Sequence, residues 1–235
     1  MIHFPGRALT RCPADLNIRP CDNKVGTPTY ISGISCLAMK KRTLEIALEK
    51  VPLFIDPDPA LEQYRTPADI AADILFEAYA AGDIKNKTVI DLGCGTGMFS
   101  VGAKLMGAKK VNGYDLSETA VALAVNCSSH MSLDIDFDIC DVEAVEDHAD
   151  TVIMNPPFGC QTRKADRRFL EKALECGDCI YSVHMASTLD FVQEFVRERG
   201  RHAVSYKIYK YSIPHTFPFH KDSERIVDIV AVNIR

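Results

Sequence analysis

From Met39 onward, short apolar runs rich in β-branched residues alternate with stretches whose apolar residues recur at helical spacing. Such runs are typical of buried strands, and such stretches are typical of amphipathic helices. Predicted strands cover 87–93, 109–116, 133–142, 149–155, 178–185, 202–214 and 225–235. Repeated βα units predict a doubly wound α/β sheet of seven mostly parallel strands, with helices on both faces and the last strand antiparallel.

Helical stretches fill most of the intervals between these strands. One begins at Met39, and a proline-broken connector over 52–59 separates it from the next. Thr66 is expected to cap that second helix, with Pro67 in its first turn. Further helices are predicted after the first strand (MFSVGAKLM), after the second strand (SETAVALAVNCS), around 166–176 and over 191–200.

Residues 1–38 do not share this pattern. Their prolines are spaced so that no helix of useful length fits between them, and they carry no sustained apolar face. We expect a disordered N-terminal extension over 1–38, upstream of an alternative start at Met39. The remaining residues, 39–235, are expected to form one domain.

Composition restricts the class of protein further. The chain has 235 residues, of which 47% are apolar and 25% charged, as in ordinary globular proteins. No apolar run is long enough to cross a bilayer, so neither a transmembrane helix nor a membrane partner is expected. A net charge of −5 argues against a generally basic nucleic-acid coat protein but allows a local basic patch. Nine cysteines without a secretory signal indicate reduced thiols of the cytosol or nucleus.

Acidic residues lie at or near the ends of the first three predicted strands. Asp91 opens the glycine loop Asp91-Leu-Gly-Cys-Gly-Thr-Gly97, whose spacing differs from the G-x-G-x-x-G dinucleotide fingerprint. Asp115 ends the second strand, where a carboxylate can accept from both hydroxyls of a ribose. Asp141, at the end of the third, can accept from an adenine amino group. Tight-turn geometry for the glycines and helix capping for Asp115 remain as alternatives.

The fourth strand ends in Asn155-Pro156-Pro157-Phe158. Two prolines stop the sheet and hold neighbouring acceptors rigidly. If the Asn155 amide oxygen and the Pro156 carbonyl each accept one N–H of an amine, its lone pair can turn toward an electrophilic methyl group. Phe158 offers a face on which a base can stack.

These motifs together resemble the Rossmann-like class I S-adenosylmethionine-dependent methyltransferases, over roughly Lys50 to the C-terminus. The Asn-Pro-Pro-Phe form is similar to that of enzymes that methylate exocyclic or amide nitrogens. The segments ALEQYRTPADIAADIL, VIDLGCGTGMFSVGA, DTVIMNPPFG, YSVHMAST and FPFHKDSERIVDIVAVNIR resemble the eukaryotic methyltransferase-like protein five family. Arg65 departs from that family, which usually has proline between the preceding Tyr and the following Thr.

The resemblance implies a specific activity and partner. Members make N6-methyladenosine in small-subunit (18S) ribosomal RNA with a small zinc-ribbon activator protein, which is expected to pair with the edge strand near 134–139. It implies localisation to the nucleus (nucleolus) and cytoplasm. It also implies cofactor contacts and target-base contacts. The cofactor contacts are Gln63, Thr66, Gly93, Thr96, Met98, Asp115, Asp141 and Val142. The target-base contacts are Asn155, Pro156, Pro157 and Phe158.

The Asn-Pro-Pro-Phe motif alone does not exclude other substrates or roles. Guanine N2, a protein glutamine amide and an inactive adaptor are the alternatives. A basic stretch after the motif suits phosphates, although a solvated helix face explains it equally simply. Its members are Arg163, Lys164, Arg167, Arg168 and Lys172. Cys176 and Cys179 form a single CxxC, too few ligands for zinc, so no metal site is expected. His184 is interpreted as structural, with substrate positioning as the alternative.

Overall fold

The computed structural model of the protein describes residues 39–55, 57–58, 61–158, 165–214 and 224–235. The strands are β1 (Thr88–Leu92), β2 (Lys110–Asp115), β3 (Asp136–Ile139), β4 (Ala149–Met154), β5 (Gly177–Met185), β6 (Ala203–Pro214) and β7 (Glu224–Ile234). The helices are α1 (Lys41–Leu48), α2 (Ala68–Ala80), α3 (Met98–Leu105), α4 (Glu118–His130), α5 (Ala165–Cys176) and α6 (Leu189–Arg197). The predicted extension over 1–38 lies outside the described residues.

The seven strands form one sheet in the order β3-β2-β1-β4-β5-β7-β6. Neighbouring pairs from β3 to β5 are parallel, whereas β7 is antiparallel to both β5 and β6. The predicted seven-stranded, mostly parallel sheet with an antiparallel last strand is therefore confirmed. Because β1, β2 and β4 run in one direction, the residues that follow them meet at one edge of the sheet.

The hydrophobic core lies on both faces of the sheet. Helices α1, α2 and α3 bury Leu48, Ile74 and Val101 on one face. Helices α5 and α6 bury Leu170 and Phe195 on the other. Successive residues of the inner strands point into alternate clusters, which explains why these strands read as continuous apolar runs. The predicted helices on both faces are confirmed.

A buried carboxylate fastens the C-terminal strand to the rest of the sheet. Asp83, between α2 and β1, is 8% exposed. One of its oxygens accepts from the Tyr181 hydroxyl at 2.6 Å and from the Arg235 guanidinium at 2.7 Å. The charged arginine compensates the buried carboxylate, so the last residue of the chain contributes to the packing of β5 and β7.

Two local expectations are wrong. The strand predicted over 133–142 is only four residues long, because β3 pairs with β2 from Asn112 to Asp115 alone, and β2 then turns into α4. Thr66 does not cap α2, which begins at Ala68 without a side-chain cap. Its hydroxyl is used elsewhere, as described below.

The described residues belong to one compact unit, Cys36–Arg235. In this part of the chain, no helix combines the length and the apolar character that a membrane crossing requires.

Candidate active site

The carboxyl ends of β1, β2 and β4 surround one cleft, as expected for ligand sites of open α/β sheets. The strand ends and their turns supply one wall, which consists of Leu92, Gly93, Gly95, Tyr114, Asp115, Leu116, Cys140, Asp141, Val142, Asn155 and Pro157. The connector between α1 and α2, together with α5, supplies the other wall, which consists of Phe54, Leu61, Glu62, Gln63, Tyr64, Arg168 and Phe169.

Aromatic rings approach the glycine loop so closely that side chains do not fit there. A Cβ at Gly95 would lie 2.7 Å from the Phe54 ring, and one at Gly93 would lie 2.9 Å from the Phe169 ring. Gly95 also has a φ of +53°, which L side chains rarely adopt. The loop therefore requires glycine for close approach as well as for its turn, and Phe54 and Phe169 border the cleft beside it.

Asp115 at the end of β2 is held in a fixed orientation. One carboxylate oxygen accepts from the Gly95 amide and the other from the Ser117 amide, each at 2.8 Å. The cap of α4 is Ser117 itself, whose hydroxyl accepts from the Ala120 amide at 3.3 Å. Burial raises the pKa of Asp115 above its usual value. Each oxygen keeps a second lone pair, so the carboxylate can still accept from two hydroxyls of a ligand.

Asp141, in the turn after β3, belongs to the same wall of the cleft as Asp115 and is partly exposed. It accepts from the Glu143 amide at 2.9 Å and from the Arg168 guanidinium at 2.8 Å. The amide bond and the nearby guanidinium lower its pKa, so it stays ionised. Arg168 also pairs with the Glu143 carboxylate, and it thereby connects α5 to the turn after β3.

Asp91 is buried beneath the glycine loop, with 1% of its surface exposed. One oxygen accepts from the Ser100 amide at 2.8 Å and from its hydroxyl at 2.6 Å. The other oxygen is buried and accepts no hydrogen bond within the described part of the chain. Burial raises the pKa of Asp91 to about 7, although the bonds from Ser100 oppose the shift.

Asn155 presents an acceptor that the described residues leave without a donor. Its amide nitrogen donates to the Thr66 hydroxyl at 3.0 Å, which fixes the orientation of the amide. Its oxygen, Oδ1, is buried and accepts no hydrogen bond from any residue that the structure describes. An unpaired buried acceptor is costly, so the site is arranged for a donor that comes from outside.

The structure brings most of the predicted site residues together. Those that line the cleft are Gln63, Gly93, Asp115, Asp141, Val142, Asn155 and Pro157. Thr66 is adjacent to the cleft through its contact with Asn155. Thr96 and Met98 are instead buried, at 3% and 5% exposure, and do not line it. Pro156 is buried, and Phe158 packs against the core on the α1 side, so base stacking on Phe158 stays a prediction.

The cleft-wall residues that sequence reasoning missed include Phe54, Leu61, Tyr114 and Phe169. Phe54 and Leu61 stand in or beside a proline-broken connector, where no periodicity assigns a side chain to a face. Phe169 resembles any apolar residue of an amphipathic helix. Tyr114 directly precedes Asp115, and that adjacency was the only available signal.

The basic stretch makes its contacts within the protein. Arg167 stacks over the rings of Phe191 and Phe195, at 5.6 and 5.3 Å from their centres. Arg168 pairs with two carboxylates, and Lys172 pairs with a third. Phosphate binding is therefore not supported for these three members. Arg163 and Lys164 lie outside the described residues.

The isolated cysteine and histidine candidates are structural elements of the sheet. Cys176 and Cys179 are buried in the clusters on opposite faces. His184 is 1% exposed, and its Nε2 shares a 2.6 Å hydrogen bond with the Ser182 hydroxyl. Burial lowers the pKa of His184 to about 4. It does not line the cleft, in agreement with the structural interpretation.

The order of these groups along the sheet determines what the cleft can hold. Acceptors for a nucleoside lie at β2 and after β3, and a rigid acceptor for an amine lies after β4. This is the arrangement of the class I S-adenosylmethionine-dependent methyltransferases, and the protein is an enzyme of that class.

Comparison with known proteins narrows the class to a family. Residues 65–177 match the methyltransferase small domain. An rRNA N(6)-adenosine-methyltransferase METTL5 from Danio rerio is 36% identical over 84% of this chain and 98% of its own. A Drosophila melanogaster protein of the same name is 36% identical over 81% of this chain and 94% of its own. The chain belongs to the METTL5 family of methyltransferases.

Solved structures agree with this assignment. A candidate RNA methyltransferase from Pyrococcus horikoshii is 38% identical, covers 84% of this chain and 98% of its own, and superposes with a TM-score of 0.79. A magnesium protoporphyrin IX methyltransferase from Synechocystis with bound S-adenosylhomocysteine is 15% identical at a TM-score of 0.56 and shows the shared fold alone.

Proposed function

We propose that this enzyme transfers a methyl group from S-adenosylmethionine to the N6 amino group of an adenosine in small-subunit ribosomal RNA. The names of the Danio rerio and Drosophila melanogaster relatives support the reaction and the RNA class. The observation that carries the proposal is the buried Asn155 oxygen, which lines the cleft and has no donor in the described protein.

The residues of the cleft suit the cofactor. The oriented carboxylate of Asp115 matches the two hydroxyls of a ribose, and ionised Asp141 matches an adenine amino group. When bound, the cofactor supplies an electrophilic methyl group on a positively charged sulfur. Phe54 and Phe169 border the same space and exclude water beside the glycine loop.

The role of the Asn-Pro-Pro segment is to activate a weak nucleophile. The N6 lone pair of adenine is delocalised into the ring, so the amine must be reoriented before it can attack. Asn155 Oδ1 and the Pro156 carbonyl each accept one N–H and thereby aim the lone pair at the methyl carbon. With the amine held in this way by Asn155 and Pro156, its nitrogen would bond to the methyl carbon while the cofactor's sulfur would keep the electron pair of the sulfur–carbon bond. The methylated nitrogen then releases one proton to water, so no general base is required before attack.

Other acceptor nitrogens are less well supported. A protein N5-glutamine methyltransferase from Methanocaldococcus jannaschii is 38% identical, but over only 32% of this chain. That stretch reflects the shared class of fold, whereas the METTL5 relatives match along nearly their whole length. Adenosine N6 is therefore preferred over glutamine or guanine N2.

We also propose a small zinc-ribbon activator as partner, bound along β3. This strand lies at one end of the sheet and pairs only with β2 among the described strands. Ile139 on it is 53% exposed. A partner strand would satisfy the open backbone groups and cover this side chain. The chain purified alone is expected to be sparingly soluble or unstable, and a monodisperse, fully active monomer would contradict this part of the proposal.

The decisive assay offers labelled cofactor with total RNA or with total protein, with and without the activator. We expect label in small-subunit rRNA, released as N6-methyladenosine on digestion to nucleosides, and little label in protein. Asn155→Ala is the matched inactive control. Label in protein, or in guanosine, would refute the substrate assignment. Because small-subunit rRNA is made in the nucleolus and used in the cytoplasm, we propose that the enzyme is present in both, and imaging of the tagged full chain tests this.

A further inference from the structure

The two ends of the sheet differ in charge. Residues 133–146, which include β3 and the turn after it, contain six acidic and no basic residues. Residues 203–214, which form β6, contain two lysines and no acidic residue. A polyanion that approaches the cleft is therefore repelled at the β3 end and tolerated at the β6 end.

Among the described residues, an uncovered surface lies along the β6 end of the sheet. Tyr206, Ile208 and Lys210 are alternate residues of β6, and Ile226 of β7 lies opposite Ser212 in the same series of pairs. These four residues, here called the hairpin face, point to one side. Tyr206, Ile208 and Ile226 are 55%, 53% and 67% exposed. Helix α6 covers the adjoining Val230 and Val232 but leaves the hairpin face open.

Strand β6, which carries most of the hairpin face, runs toward the edge of the sheet that holds the active site. Because β6 and β5 are both antiparallel to β7, β6 ends at the same edge of the sheet as β4. Near that end, Tyr211, which points to the opposite side of the sheet from the hairpin face, donates its hydroxyl to the Arg65 carbonyl at 3.2 Å. The next residue, Thr66, accepts from the Asn155 amide. From Tyr206 to Tyr211 the strand advances roughly 17 Å, a span of a few nucleotides.

The chemistry of the hairpin face fits RNA better than a second copy of the chain. Pairing of β6 with itself would place the exposed Lys210 of each copy along the same interface, which opposes association. Tyr206 offers a ring on which a base can stack, and Ile208 offers apolar contact beside it. Lys210 is 77% exposed and pairs only with Asp228, at 2.8 Å, among the ion pairs of the described residues. Such an exposed pair is weak and can exchange for a phosphate.

We propose that the hairpin face binds the RNA nucleotides that flank the target adenosine, with Tyr206 stacking on a base and Lys210 contacting a phosphate. This inference rests on the proposed function, because it assumes an RNA substrate. It assigns the direction of approach, in which RNA enters over β6 and β7 and leaves the acidic β3 end free.

The test separates RNA binding from catalysis. The double variant Tyr206→Ala/Lys210→Gln is compared with the wild-type full chain in filter binding to a small-subunit rRNA transcript. We expect at least about tenfold weaker binding and a log–log salt slope smaller by about one. Cofactor affinity and the rate at saturating RNA should stay within about twofold, since neither residue lines the cleft.

Matched control variants test whether the loss of RNA affinity is specific to the hairpin face. Lys85→Gln removes an exposed lysine at the opposite edge of the sheet, and it should leave RNA affinity unchanged. Ile208→Ala should weaken RNA binding, whereas Ile46→Ala, which alters an isoleucine of similar exposure on α1, should not. Thermal unfolding confirms that each variant is folded, as expected for exposed side chains.

RNA affinity of the double variant equal to that of the Lys85→Gln control would overturn the inference. Loss of activator binding with RNA affinity intact would also overturn it, in favour of a protein-docking surface. Failure of the proposed function would give a different experimental result. The wild-type enzyme would then methylate no RNA, although a tenfold binding difference between the variants would still support the hairpin face as an RNA contact.

Discussion

Asn155→Ala should affect the chemical step far more than cofactor binding. The substitution removes Oδ1, the buried acceptor that lacks a donor among the described residues, and leaves the carboxylate of Asp115 in place. Loss of one preorganised hydrogen-bonding group of this kind lowers a rate by about 10²–10³, or about 2.7–4 kcal/mol. The positive charge that develops on nitrogen makes this acceptor more valuable in the transition state than in the ground state.

Thr66→Val provides a graded comparison at the same site. It keeps Oδ1 but removes the hydroxyl that accepts from the Asn155 amide at 3.0 Å. A hydrogen bond of this type contributes about 0.5–1.5 kcal/mol, so the rate should fall by about 2-fold to 13-fold. The variant tests whether orientation of the amide, and not only its presence, matters.

Both variants are measured by single-turnover methylation at saturating cofactor and by calorimetric titration of the cofactor. We expect Asn155→Ala to be slowest, Thr66→Val intermediate, and cofactor affinity near that of the wild type in each. A near-normal single-turnover rate for Asn155→Ala would refute the assigned role. The Asn-Pro-Pro segment would then be a rigid turn, and the activation of the amine would have to come from other groups.

Four further predictions follow from the cleft and the chain. Asp115→Ala should weaken cofactor binding in calorimetry by about 10-fold to 150-fold, because each charge-assisted hydrogen bond contributes about 1.5–3 kcal/mol; unchanged affinity would contradict its ribose role. Gly95→Ala should lower stability and cofactor affinity, since its Cβ would meet the Phe54 ring at 2.7 Å and its φ is +53°. Adding Phe54→Ala removes the steric contact but not the unfavourable φ, so chemical unfolding of the double variant should show only a partial recovery of stability. The cofactor-free protein should lose stability as the pH rises from about 4 to 7, because burial raises the pKa of Asp91 in the folded protein to about 7, above the ordinary aspartate value of 3.8. The unfolded chain therefore releases that proton first, and urea unfolding of Asp91→Asn should show a flatter pH dependence. Deletion of residues 1–38 should leave cofactor affinity and activity unchanged, and a tenfold loss, about 1.4 kcal/mol, would show that the segment contributes.

The succession of strands and helices along the chain was predictable because hydrophobic periodicity is a local property of the sequence. The runs that became β1, β4 and β5 are apolar on both faces, and only a parallel sheet covered by helices buries them in that way. The length of β3 was not predictable, because it depends on how much of β2 remains available for pairing. Its alternating acidic and apolar residues extend beyond the paired region, so the pattern alone overestimates the strand.

The strand-end residues of the cleft were predictable, whereas the opposite wall was not. Asp115 and Asn155 stand directly after strands, and the sheet brings all such positions to one edge. Phe54 and Phe169 reach the cleft from distant segments through tertiary packing, which no local pattern encodes. Thr66 illustrates the limit, because its sequence context predicts a helix cap while the fold uses its hydroxyl to orient Asn155.

The position of β7 has a consequence for synthesis of the protein. The last strand in the chain is inserted between β5 and β6, and Arg235 contacts the buried carboxylate of Asp83. The sheet therefore cannot close until β7 has been translated and has left the ribosome. A premature stop before Glu224 would preserve every residue of the cleft, yet it would leave β6 without a neighbour and an apolar side of β5 open. Such truncations should behave as aggregating or degraded products, despite an intact catalytic motif.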